Sequence, residues 1–299
     1  MSRQATTGPM LDATRIAEWR PLGAVAPTAL VGARGQLHHA AQVANAAAIS
    51  LLPPAPDDSH TSFVWSAALG ALVAREIPAP RPFRVALQLE SLALLVLDVD
   101  DAPLARFPLD GHGRDDAVAW IRAWTARARG DGERVTMRRH FEIPGAAPDA
   151  SHPWRSGDGA ALGELAAWYG NADALLRAFA ASEPNAGAVR CWPHHFDIAT
   201  LVEEGADAAG VRHTTGVGLS PGDDSYAEPY VYVGPYPYPN ADAAPALGAG
   251  RWHREGWFGA VLTGTEIVAA GGPDAQARVA TTFVADAVAA VRALRTAIR

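Results

Sequence analysis

The chain has 299 residues, more than one domain of usual size, so two modules of ordinary length or one large fused domain are expected. Hydrophobic residues make up 49% and charged residues 19%, the balance of a globular protein with an ample core. A net charge of -7 and no Lys/Arg-rich stripe exclude nucleic acid as a partner, and one cysteine, Cys191, excludes an intrachain disulfide and fits a reducing compartment.

Residues 1–34 read as an irregular arm, because Pro9, Pro21 and Pro27 forbid a long helix, although 13–19 allows a turn or two. The arm lacks the apolar core of a signal segment. No apolar run reaches the roughly 18 residues of a membrane helix, so a cytoplasmic protein with no membrane partner is expected. The spacing of Leu37, Ala40, Ala41, Ala44, Ala48 and Leu51 predicts a helix over 36–51, ended by Pro53 and Pro54. On it, His39 faces away from Leu37 and Ala41, toward solvent. Strands are expected over 61–65, 70–74, 83–90 and 92–98, the last two as a hairpin, with a further one over 105–109. Val118, Ile121, Trp124 and Ala128 then mark a helix over 114–129, stopped by Gly130.

One more strand is expected over 134–143, then a Pro/Gly/Ser-rich linker over 144–157. Leu162, Leu165, Tyr169, Ala172, Leu176 and Phe179 form the stripe of a helix over 161–181. Strands follow over 189–201, 212–219, 228–233 and 257–262, and a last helix runs from Pro273 to 298. The expected fold is α+β: two similar modules, 35–143 and 158–299, each ordered helix, antiparallel strands, helix. That order suggests an internal duplication with a pseudo-twofold, its two sheets joined edge to edge or facing across a cleft.

Chemistry concentrates in the second module. If 189–201 is one strand, Trp192, His194, Phe196 and Ile198 share one face, while His195, Asp197 and Ala199 share the other. His195 and Asp197 then suit a general acid–base pair, with Glu228 and His253 as further acid–base groups. His195, Asp197 and His213 are the candidate ligands for a divalent metal, although no helical H-x-x-x-H and no second cysteine support one. Gly218-Leu219-Ser220-Pro221-Gly222 matches the G-x-S-x-G nucleophile elbow in form only. Pro221 has no N–H to donate to an oxyanion, so the segment reads as a tight turn. Five of six tyrosines fall between Tyr226 and Tyr238. Tyr230 and Tyr232, with Trp252, Arg254 and Trp257 after them, give the apolar walls and few polar groups of a small-ligand pocket. In that pocket Arg254 would meet a carboxylate.

Trp192–Asp197 (W-P-H-H-F-D), Gly218–Val233 (G-L-S-P-G-D, then E-P-Y-V-Y-V) and Trp252–Leu262 resemble motifs of an uncharacterised bacterial family known only as a domain of unknown function. Residues 37–42 and 57–61 are similar to it too, so the likeness covers most of the chain. Some members have small residues in place of His194 and His195, which weighs against a metal role for that pair. The resemblance brings no activity or cofactor. Two functions are expected from the residues: an enzyme with a His/Asp/Glu acid–base site, with or without a metal, for a small polar or aromatic substrate; or a non-catalytic ligand-binding or interaction module built on the Tyr/Trp surface.

Overall fold

The computed structural model of the chain describes residues 19–138, 141–157, 159–207 and 209–296. Most of the turn expected over 13–19 lies outside them. Helix begins earlier than the periodicity alone indicates. A 3-10 turn, Pro27–Leu30, leads directly into α1 (Val31–Ala44), and α2 (Ala46–Leu51) follows after a break at Asn45. Pro27 suits a first turn, where its missing N–H is no loss. The irregular arm therefore ends at residue 26, not 34. At the break, the Asn45 side chain donates to the Thr61 carbonyl at 2.7 Å, tying the helix pair to the first strands.

Strands β1 (Val64–Ser66), β2 (Ala71–Val73), β3 (Arg84–Gln88), β4 (Ala93–Leu97) and β5 (Pro103–Pro108) form an antiparallel meander in chain order. The expected hairpin is β3–β4, with Leu87 opposite Leu94. Helix α3 (Arg114–Arg129) ends at Gly130, whose φ of 90° only glycine adopts without strain. The strand expected over 134–143 does not form among its described residues. A 3-10 turn, Gly132–Arg134, takes the start of that stretch. Beyond it, helix side chains satisfy the backbone instead of a neighbouring strand: Arg122 donates to Val135 at 2.8 Å and Thr136 N–H to Ser50 Oγ at 2.9 Å.

The 144–157 stretch is docked on the body. Trp154 is fully buried and its indole donates to the Gln36 carbonyl at 3.1 Å. Helix α4 (Ala160–Ser182) buries Leu162, Leu165, Tyr169, Ala172, Leu176 and Phe179, as its stripe predicts. The second sheet has six antiparallel strands: β6 (Arg190–Trp192), β7 (Asp197–Ala206), β8 (Arg212–Ser220), β9 (Tyr230–Tyr236), β10 (Arg251–His253) and β11 (Gly259–Thr263). Their order is β10-β11-β9-β8-β7-β6. Helices α5 (Gly264–Ala269) and α6 (Pro273–Thr296) close the chain, α6 burying Phe283, Val288, Val291 and Leu294.

The two sheets meet edge to edge. Phe63 and Cys191 exchange backbone hydrogen bonds of 2.9 Å in both directions, which sets β1 beside β6. Helix α4 packs against β1, β7 and β8, so it underlies both sheets from one side. One hydrophobic core, from Leu37 and Leu87 through Tyr169 and Cys191 to Phe283, runs through both halves. Enclosed on several sides by α3, α4 and β3, α1 buries every residue from Leu37 to Ala44, which is why His39 is not solvated as its helix position alone suggests.

Candidate functional site

The expected strand over 189–201 is a hairpin. Pro193 has no N–H for a ladder, and the Phe196 N–H turns back to the Trp192 carbonyl at 2.7 Å. Phe196 itself has a φ of 57°, left-handed and unfavourable for a bulky side chain. The alternation expected through this stretch is thereby overturned. His194 and His195 sit at the tip with rings 4.4 Å apart, while Trp192 and Asp197 face each other across the ladder on one sheet face. Cys191 and Ile198 point to the core.

Buried donors hold this tip from beneath. His38 Nε2 and Gln42 Nε2 both reach the Pro193 carbonyl, at 2.9 and 2.8 Å. The Tyr169 hydroxyl donates to the Phe196 carbonyl at 2.5 Å. His38 also stacks on Phe196, with centroids 5.1 Å apart. Burial lowers the His38 pKa to about 4, outweighing the hydrogen bond to Pro193. The ring is therefore neutral near pH 7, and because a carbonyl only accepts, its proton is on Nε2.

On β9, Val231 and Val233 face the core while Tyr230 and Tyr232 face outward. The residue beside Tyr232 on β8 is Gly218, and beside that on β7 is Ala199. A β-carbon at position 218 would lie 2.7 Å from both Cζ and the hydroxyl of Tyr232. With none there, the ring crosses β8 and its hydroxyl donates to Asp197 Oδ2 at 2.5 Å. Burial raises the Asp197 pKa above its ordinary value, opposed by the Tyr232 hydrogen bond and by the nearby His195. Burial, and then the Asp197 charge, push the Tyr232 hydroxyl well above its ordinary value. Asp197, Tyr232 and the exposed His195 line one groove of about 910 Å³, with Arg190, Trp192 and Leu201 on its walls. A carboxyl raised toward neutrality beside a short hydroxyl hydrogen bond, in a groove of ligand size, is equipped for proton transfer.

The other expected site residues stand elsewhere. Glu228 accepts from the Thr265 N–H and hydroxyl, both at 2.6 Å, and so caps the first turn of α5 rather than meeting His195. His253 lies on β10, four strands from β7 or about 19 Å at ordinary strand spacing. Its Nε2–H donates to Glu255 at 2.6 Å, so Nδ1 accepts from the Tyr226 hydroxyl at 3.1 Å. Trp257 stacks on this imidazole at 4.2 Å. Tyr230 is buried and donates to Asp223 Oδ2 at 2.5 Å. His213 sits at the far end of β8, 3.8 Å from Asp207, so the expected metal set of His195, Asp197 and His213 does not converge. Among the described residues no three His, Cys, Asp or Glu side chains are placed to share a metal ion. Trp252 turns to the helix side, stacked on Phe258 at 5.0 Å, and the exposed Arg254 points toward Asp242 at 3.9 Å. Neither caps the tyrosine face.

Sequence reading assigns no site role to Trp192 and Arg190 in the groove, to Gly218 against the Tyr232 ring, or to the clamp of His38, Gln42 and Tyr169. Gly216 and Gly218, alternating within a strand, are a signal that something lies flat against that face. No family model, curated protein or solved structure matches the chain. Among the described residues no helix is long and apolar enough to cross a membrane.

Proposed function

We propose that the protein is an enzyme acting on a small polar or aromatic substrate held in the groove over Tyr232. Asp197 is the general acid–base, Tyr232 its hydrogen-bonded partner, and His195 a second, solvent-linked proton carrier at the groove wall. Trp192 and Leu201 supply apolar wall. The observation that supports this reading is the 2.5 Å Tyr232–Asp197 hydrogen bond on the floor of the groove. A cytoplasmic setting belongs to the same proposal, supported by the unpaired, buried Cys191.

The test is untargeted mass spectrometry of a small-molecule extract incubated with wild-type protein, Asp197→Asn and Tyr232→Phe. A compound consumed by the wild type should be turned over about 100-fold or more slowly by Asp197→Asn. Turnover by Asp197→Asn at the wild-type rate refutes the role given to Asp197. The second reading, a non-catalytic binding module, draws support from the stacked His253, Trp257 and Tyr230 rings and from the exposed Tyr236 and Tyr238. It expects compounds to be retained unchanged, with retention lost in Trp257→Ala and kept in His195→Ala.

A further inference from the structure

The hairpin tip has a second flank. Away from the tyrosine groove lies another hollow, of about 820 Å³, bounded by α1, the 141–148 segment and the turn at 222–224. His194 and His195 line both hollows, so the tip is their shared wall.

The inner side of this second hollow holds one fixed cation, Arg34, among several imidazoles. Arg34 and His38 stand one turn apart on α1 with His39 beside them, and the two hairpin imidazoles also line the space. The Arg34 guanidinium acts against a proton on His38, which stands within reach of its charge. Among the described residues no carboxylate pairs with the Arg34 guanidinium, and Nη1, enclosed against Gly222, has no hydrogen-bond acceptor. A guanidinium N–H enclosed without an acceptor is costly, and an incoming anion relieves that cost.

Four carboxylates share the hollow, and their placement decides their weight. Glu142, Asp223 and Asp224 are exposed, and Asp58 is half-buried. Asp223 is also committed, accepting from the Tyr230 hydroxyl and from the N–H groups of Ser225 and Tyr226. Water screens charges at an exposed rim far more than those at a protein floor. Arg34 Nη1 is enclosed, so its charge is screened less than the charges of the three exposed rim carboxylates.

We infer that this hollow is a subsite for an anionic oxygen group, carboxylate or phosphate, carried by the ligand whose reacting part lies over Tyr232. Arg34 is its anchor, offering the enclosed Nη1 N–H as the donor. The inference rests on the reading of the groove as a substrate site, and it narrows the substrate to small anionic compounds.

The probes are inorganic phosphate and acetate, titrated separately and followed through the histidine imidazole resonances. In the wild type one or both should shift the signals of His38 and His39 and leave His213, at the far end of β8, unmoved. A response to phosphate alone assigns a phosphoryl group, and one to acetate alone a carboxylate. Arg34→Gln should weaken binding about tenfold or more, and Arg34→Lys, which keeps the charge but not the fork, should fall between. Wild-type affinity in Arg34→Gln, no response of the wild type to either probe, or equal shifts at His213 overturns the subsite. Asp197→Asn should bind the probes like the wild type. Turnover lost in Asp197→Asn while Arg34→Gln leaves anion binding intact removes the subsite and leaves the acid–base reading standing.

Discussion

Gly218→Ala is the sharpest perturbation of the site, because it alters neither member of the Tyr232–Asp197 pair. The added β-carbon would lie 2.7 Å from Tyr232 Cζ and 2.8 Å from the Ala199 β-carbon. Ordinary carbon contacts are about 3.5–4.0 Å, so the ring must lift by about 1 Å. A shift of that size stretches the 2.5 Å hydrogen bond to Asp197 beyond useful length. Overpacking costs about 1–3 kcal/mol, and a lost hydrogen bond to a charged group about 1.5–3. Replacing glycine within a strand returns about 0.5–1 kcal/mol. The net expectation is a destabilisation of about 2–4 kcal/mol, read by urea unfolding. Gly216→Ala is the control on the same strand. Its β-carbon meets nothing closer than 3.7 Å, an ordinary contact, so that variant should be neutral or slightly stabilising. Because the Tyr232 hydrogen bond holds the Asp197 pKa down, Gly218→Ala should also raise that pKa further, measurable on the carboxyl ¹³C shift. If Gly218→Ala proves as benign as Gly216→Ala, Tyr232 does not depend on the glycine and the derivation of the site fails.

Four further outcomes follow from the same contacts. His38 titrates at about 4 when folded and 6.5 when unfolded, so the unfolded state takes its proton first as pH falls. Stability should therefore be lost between these values, by about 3 kcal/mol at the acid end, and His38→Gln should flatten that part of the pH–stability curve. Tyr169→Phe leaves the buried Phe196 carbonyl without its donor and should cost about 1–3 kcal/mol in urea unfolding. Glu228→Ala removes the cap on α5 and should cost about 1 kcal/mol, with ligand binding in the groove unchanged by calorimetry. Asp197 has its folded pKa raised, so its charge opposes folding once pH exceeds the unfolded value. Asp197→Asn should accordingly melt higher than the wild type at neutral pH, a gain that disappears on acidification below that value.

Much of the local structure is written in residue spacing. The stripes of α3, α4 and α6 follow a 3.6-residue period, and the β3–β4 hairpin follows strict alternation, so each element appears where its pattern puts it. The crowding of tyrosines on one strand, and the presence of a histidine and a carboxylate near it, are equally plain in the chain. Periodicity describes one element against one neighbour, however, and the decisive features depend on several. A strand pattern ran unbroken through Pro193, whereas the structure turns there because buried His38, Gln42 and Tyr169 accommodate both carbonyls of the turn. That turn put Asp197 opposite Trp192 and aimed it at Tyr232, a partner 35 residues away that only the register of three strands brings over Gly218. Glu228 and His213 were chemically eligible, and sheet order carried one to a helix end and the other to the opposite end of β8. Composition and spacing thus determined which groups the protein owns and which elements carry them. Long-range register and the enclosure of α1 decided which of them meet, because a hydrogen bond reaches about 3 Å and chain distance does not constrain it.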